Sequence, residues 1–411
     1  GLAACVTSFC HDDIGQAKHV HDPVAGGECD SCHELTGEQH PGGDNPFTFP
    51  EDGSSLCLMC HDDPSAGQPH VHPALEDGCT SCHNPHAGPA DKMLPAQGDA
   101  LCYECHDDKT AGKAHVHSAL EDGCTSCHDP HAGAAEKMLS ASAEKLCYEC
   151  HDSKVDGAVV HGPVEAGECT ICHDPHASNV GYQLAEPGVD LCLMCHESKA
   201  DAVRGEHVHP IVADGCTNCH NPHNGPQQYM LPEVGDALCL MCHDDIQELM
   251  QSDYPHYGLD EGCTACHDAH GTGELRMFVV KADRLCYSCH DDKELEFTAY
   301  KSQHQPVANG TCWACHAPHG GDRPMLLKGN WPEKFYVPYS ADAYSLCISC
   351  HGSKMFEYGR TSVETNFRNG DRNLHYLHVN KEKGRVCNVC HGVHGTNQED
   401  LILDKVPGFG R

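Results

Sequence analysis

Every cysteine of this chain lies in a pair that ends in histidine. Fifteen Cys-x-x-Cys-His motifs begin at Cys29, Cys57, Cys79, Cys102, Cys124, Cys147, Cys169, Cys192, Cys216, Cys239, Cys263, Cys286, Cys312, Cys347 and Cys387. Their second cysteines are Cys32, Cys60, Cys82, Cys105, Cys127, Cys150, Cys172, Cys195, Cys219, Cys242, Cys266, Cys289, Cys315, Cys350 and Cys390. The histidines that follow are His33, His61, His83, His106, His128, His151, His173, His196, His220, His243, His267, His290, His316, His351 and His391. A sixteenth pair is stretched, with four residues between Cys5 and Cys10 before His11. All 32 cysteines are thereby used, and only 37 of the 411 residues are histidine, so sixteen coincidences are excluded.

Three chemistries compete for such pairs. Disulfides suit an exported, cysteine-rich chain. The spacing from Cys57 and Cys60 to Cys79 and Cys82 suits a four-cysteine zinc site. Neither needs a histidine after each second cysteine. Covalent c-type haem attachment does: two thioethers hold the macrocycle and the adjacent histidine ligates iron. The composition agrees. Hydrophobic residues are 39% with the cysteines counted, below the roughly 45–50% of ordinary domains, so something besides side chains fills the interior. The net charge of −35 repels nucleic acid and anionic membrane surfaces. No apolar run is long enough for a membrane span. A first residue that is glycine suggests removal of an export signal. Leu2-Ala3-Ala4-Cys5 resembles a lipoprotein cleavage site, but Gly1 to Ala4 still precede the cysteine, so Cys5 is assigned to haem.

The motifs alternate in kind. Leu-Cys-x-x-Cys-His sequences begin at Cys57, Cys102, Cys147, Cys192, Cys239 and Cys286, in steps of 45, 45, 45, 47 and 47 residues. A second type, often Gly-Cys-Thr-x-Cys-His, follows each by 22 to 26 residues. The repeat defines eight dihaem units: 1–46, 47–90, 91–136, 137–181, 182–228, 229–276, 277–330 and 331–411. The first, with its stretched motif, and the last, with aromatic-rich inserts, are irregular caps. The expected fold is mostly irregular coil with short α-helices wrapped around a linear haem array, with little β, because Gly, Pro, Asn and Asp recur every few residues. The aromatic residues Trp331, Phe335, Tyr336, Tyr339, Phe356, Tyr358, Phe367 and Tyr376 of the last unit are expected to pack on the array's end.

Twenty-one histidines remain. One recurrent position lies three residues after the second-type motif histidine: His86, His131, His176, His223, His270, His319 and His394, with His40 substituting in the first unit. The other precedes the second-type motif: His21, His72, His117, His161, His209, His256, His304 and His378. These sixteen are the candidate distal ligands for sixteen irons. His19, His70, His115, His207 and His375 are left over. Within a unit, His86 is expected to serve the haem of His61, and His72 that of His83. Met93, Met138, Met230, Met277 and Met325 also recur. Methionine ligation would raise potentials, but Gln183 interrupts the series, and these residues are expected to pack softly against porphyrin edges. Paired acids after first-type motifs, such as Asp12, Asp13, Asp62, Asp63, Asp107 and Asp108, are expected to form a solvated face.

With Leu-Cys-x-x-Cys-His at Leu56, Gly-Cys-Thr-Ser-Cys-His-Asn-Pro-His at Gly78 and their repeats, the chain resembles the multihaem c-type cytochromes with paired motifs, over essentially its whole length. The resemblance implies sixteen covalently attached haems with two histidine ligands each, electron transfer and an exported location: extracellular, at the cell surface, or in the periplasm. Some relatives assemble end to end into filaments, so self-association is expected, together with redox partners such as other cytochromes, a mineral or another external acceptor. The stretched first motif is similar to a variant in some sixteen-haem cytochromes. A conduit of stacked low-potential haems is the first functional expectation. A reductase with one open iron, or an electron store, is the alternative; no Cys-x-x-Cys-Lys variant marks a catalytic haem.

Overall fold

The computed structural model describes residues 11, 13–40 and 42–407. The Cys5 and Cys10 pair, and Asp12, lie outside them. The chain divides into two compact units, Gly1–Leu191 and Cys192–Arg411. Both repeat the same small parts, and both are coil punctuated by short helical turns, as expected.

Each haem motif among the described residues is built on a helical turn. First-type motifs sit on short helices such as Ser54–Leu58, Asp99–Cys102 and Asp236–Leu240. Second-type motifs form three-residue 3-10 turns such as Cys79–Ser81 and Cys124–Ser126. In both types the histidine N–H donates to the carbonyl of the first cysteine, at 3.0 Å from His61 to Cys57 and 2.9 Å from His83 to Cys79. One turn thus puts both thiols and the imidazole on a common side.

In two units an acidic side chain joins the two motifs. The Cys124 N–H donates to Asp99 Oδ1 at 2.8 Å, and the Cys263 N–H to Asp236 Oδ1 at 2.7 Å. Replacing Asp99 with alanine strands that part-buried N–H at a cost of about 1 kcal/mol. The expected result is amide hydrogen exchange at Cys124 that is roughly fivefold faster, with little change at Cys263.

The longer-range order comes from two-residue antiparallel strands. His19–Val20 pairs with Ala87–Gly88, His70–Val71 with Ala132–Gly133, and His115–Val116 with Ala177–Ser178. In the second unit His207–Val208 pairs with Gly271–Thr272, and Ser302–Gln303 with Gly395–Thr396. Each strand before a second-type motif therefore meets the loop after the next second-type motif. The ladder ends on the recurrent histidines: the N–H of His21 donates to the His86 carbonyl at 2.9 Å, and His72 to His131 at 2.8 Å. The left-over histidines His19, His70, His115 and His207 lie on these strands, where their backbones set the pairing.

The apolar core is small. Among the described residues ten hydrophobic side chains are buried, and five of them (Tyr344, Phe356, Val379, Val386 and Val389) form one cluster in the last unit. Phe335 and Tyr339 pack against it, while Tyr336, Tyr358 and Phe367 stay exposed. The aromatic inserts thus pack only in part. Along the repeats the buried apolar residues are isolated and mostly small, namely Ala90, Ala132, Ala177, Val212 and Phe278.

Candidate haem sites

The thirty cysteines among the described residues are all unbridged. Nor do three His, Cys, Asp or Glu side chains converge on a metal-sized site anywhere among the described residues. The disulfide and zinc readings therefore have no geometry to support them. Instead, first cysteines of the two motifs in a unit meet. The thiols of Cys57 and Cys79, Cys102 and Cys124, Cys147 and Cys169, Cys239 and Cys263, Cys286 and Cys312, and Cys347 and Cys387 lie close enough to perturb one another. Burial, followed by the Asp99 carboxylate, pushes the Cys124 thiol up to about 12. At Cys263 burial and Asp236 do the same.

Seven second-type motif histidines are oriented by a backbone device. After each second-type motif except that of His33 the chain loops back through two consecutive residues in the left-handed region. All fourteen positive-φ non-glycine residues among the described residues belong to seven such pairs, beginning with Lys92 and Met93. The first residue of each pair turns its carbonyl onto a ring nitrogen. His83 Nδ1 lies 2.9 Å from the Lys92 oxygen, and His128 Nδ1 2.8 Å from that of Lys137. The same contact joins His173 to Tyr182, His220 to Tyr229, His267 to Arg276, His316 to Met325 and His391 to Asp400, at 2.7–2.9 Å. With Nδ1–H donated to a carbonyl, Nε2 keeps its lone pair for a metal. The second residue of the pair ties the loop shut, as when the Asn84 N–H donates to the Met93 carbonyl at 3.0 Å. The methionine spacing thus marks a backbone geometry. That explains why Gln183 serves equally: the Asp174 N–H donates to its carbonyl at 2.8 Å.

The next element presents the second set of histidines. Asn84, Asp129, Asp174, Asn221 and Asp268 accept from the backbone N–H of His86, His131, His176, His223 and His270, at 2.8–3.0 Å. Such Asx turns aim the ring away from the motif just completed. Burial holds His131, His176, His270, His319 and His394 below the ordinary histidine value, so these rings are neutral at pH 7 with a nitrogen lone pair to give.

Fourteen motif histidines face a second histidine at nearly one distance. Second-type histidines take the ring that follows the next second-type motif: His33 faces His86, His83 faces His131, His128 faces His176, His220 faces His270, His267 faces His319 and His316 faces His394, with centroids 6.1–6.3 Å apart. First-type histidines take the ring of the preceding unit: His61 faces His21, His106 faces His72, His151 faces His117, His243 faces His209, His290 faces His256 and His351 faces His304, at 5.9–6.2 Å. At the ends, His11 faces His40 at 6.0 Å and His391 faces His375 at 6.3 Å.

Two expectations are corrected here. Apart from the end pairs His11 with His40 and His375 with His391, facing histidines do not come from one unit. His86 lies against His33 and His72 against His106, because the strand ladder links each loop to the segment before the preceding second-type motif. Second, the structure brings His375 to His391, whereas His378 was expected there. The helix Leu374–Val379 turns His378 onto Phe367, with its Nδ1 2.7 Å from the Leu374 carbonyl. His375 is further fixed by Thr365, whose Oγ1 lies 2.8 Å from its Nδ1. Nothing in the sequence repeat marks His375, which occurs in this irregular unit only.

The residues fit haem. A metal–imidazole bond is about 2 Å and the nitrogen lies about 1 Å from the ring centre, so trans imidazoles on one metal have centroids about 6 Å apart. The ring planes of the fourteen pairs meet at angles from 3° to 71°, yet the separation barely changes. Direct packing would couple distance to angle; a shared metal fixes distance and leaves rotation free. Leu58, Met59, Tyr103, Met194 and Met241, within or beside the motifs, are exposed apolar side chains that a macrocycle would cover.

Comparison with known proteins gives the same assignment. The family model described as the doubled CXXCH motif matches residues 21–66, 72–111, 117–156, 161–201, 209–248, 256–295 and 304–356. Each match starts on a distal histidine (His21, His72, His117, His161, His209, His256 or His304) and joins a second-type motif to the first-type motif after it. Over 86 residues the chain is 31% identical to a protein of Shewanella baltica described as multiheme cytochrome MtrA. That alignment covers 18% of this chain and 25% of the relative, so the match spans about a quarter of the relative's length. Since the family model covers most of the chain, and its motifs fall on the cysteines and histidines that the fold pairs, this chain belongs to the multihaem c-type cytochromes with doubled CXXCH motifs, which carry covalently bound haem and transfer electrons.

Proposed function

We propose that the chain holds sixteen c-type haems, each between two histidines, and works as an exported electron conduit outside the cell or across its envelope. The observation that carries this reading is the interleaving of ligands. Every distal histidine paired above, apart from those closing the ends, belongs to a different unit from the motif it faces, while in six units the first cysteines of the two motifs lie side by side. Neighbouring haems are thus tied both by thioether contacts within units and by ligands between them. When bound, haem iron accepts and releases one electron at a time. The chain's own part is to supply two imidazoles per iron, orient them through backbone carbonyls and keep successive motifs adjacent. His161, His173, His196 and His223 complete the count of thirty-two ligands. Among the described residues no helix is long and apolar enough to cross a membrane.

The partners on this reading are other cytochromes and an external or mineral acceptor. End-to-end association of copies needs no exchange of ligands, because His40 and His375 complete the end irons from within the chain. The test uses the native protein. Its mass should exceed that of the polypeptide by sixteen haems, its spectrum should be wholly low-spin in both redox states, and carbon monoxide should not bind. A high-spin, carbon-monoxide-binding fraction would replace this reading with a reductase; fewer haems would break the count.

A further inference from the structure

Six first-type histidines face their partners at a common distance but at two kinds of angle. Four pairs are near parallel: His21 with His61 at 22°, His117 with His151 at 15°, His256 with His290 at 18° and His304 with His351 at 14°. Two are near perpendicular: His72 with His106 at 71° and His209 with His243 at 67°. The perpendicular pairs are those whose distal histidine is followed directly by proline, Pro73 or Pro210. Asp22, Ser118, Tyr257 and Gln305 follow the others.

The backbone does not make this difference. His72 and His209 have φ/ψ of −69°/127° and −62°/126°, against −66°/135° for His21, −70°/128° for His117 and −64°/134° for His304. The side chain makes it. Nδ1 of His21, His117 and His304 lies 3.0 Å from the carbonyl of Pro85, Pro175 and Val393. Nδ1 of His72 instead faces the Ala74 N–H at 3.2 Å, and Nδ1 of His209 is buried without a hydrogen-bond partner. A proline ring crowds the N–H and Cβ of the residue before it, which is where the imidazole is attached.

We propose that Pro73 and Pro210 are positioning residues that turn the distal imidazole, so that the irons of His106 and His243 carry crossed ligand planes while the other first-type irons carry aligned ones. This rests on the reading that the facing imidazoles ligate haem iron. Crossed planes leave the two iron orbitals that share the ferric hole nearly equal in energy. Aligned planes split them. The two crossed sites, one in each compact unit, are then electronically distinct members of the array.

The test is electron paramagnetic resonance of the fully oxidised, fully loaded protein. A strongly anisotropic low-spin signal should account for two haems, set against a rhombic signal from aligned pairs. P73S and P210S should each remove one equivalent, and the double variant both, at unchanged haem content by mass. S118P should add a third, which keeps the idea testable if the serine variants load poorly. Absence of the anisotropic signal from the native protein, or its full survival in the loaded double variant, overturns the proposal alone. Absence of every bis-imidazole low-spin signal overturns the ligand reading beneath it.

Discussion

Replacing His86 with alanine is expected to open one iron, and that iron is the one held by His33. The reduced H86A protein should bind one equivalent of carbon monoxide and show a matching high-spin band, with the remaining haems unchanged. The location is checked by a second deletion. In a C29A/C32A background, which lacks the haem of His33, H86A should add no carbon-monoxide-binding site. In a C57A/C60A background, which lacks the haem of His61, it should still add one. The reverse pattern would mean that His86 serves its own unit and that the ring separation of 6.1 Å to His33 does not report a ligand pair. H86M should keep the iron low-spin and raise its potential on the order of a hundred millivolts, since axial ligands span about 0.8 V of haem potential.

The second large effect concerns folding. A chain made without haem attachment is expected to remain unfolded across the repeats up to about residue 330. Side chains along the repeats bury too little to order them: below the last unit the buried apolar residues are Ala90, Ala132, Ala177, Val212 and Phe278, none in a common cluster. Cofactor binding then carries the folding free energy, as in small metal-organised domains. The Tyr344, Phe356, Val379, Val386 and Val389 cluster needs no cofactor to bring its members together. Limited proteolysis of the haem-free chain should degrade the repeats first and leave a fragment of the last unit longest. Protease-resistant repeats with a native amide spectrum, without haem, would refute the account.

Much of this molecule is legible in its sequence because a haem motif is local. Five residues in one helical turn fix two thiols and a ring, so Cys57, Cys60 and His61 are assigned without knowing where the chain goes next. The recurrent histidines are legible for the same reason, since Asn84 and His86 sit in one turn whose geometry is set by adjacent residues. The methionine spacing shows the limit of such reading. Its period is real, but what the structure uses is the carbonyl of Lys92 and the left-handed backbone at Met93, and a sequence shows side chains more readily than backbone strain.

By itself, then, the sequence determined the cofactor, the two motif types, their period and which histidines are available. Only the tertiary structure decided which of those histidines face one another. That choice is made by two-residue ladders such as His19–Val20 with Ala87–Gly88, which join segments more than sixty residues apart. Strands so short carry no pattern of their own, and their register follows from the loops and rings packed around them. The same holds at the end of the chain. His375 and His378 lie one turn apart on one helix, and the fold there, not the spacing, turns His375 toward His391 and His378 toward Phe367.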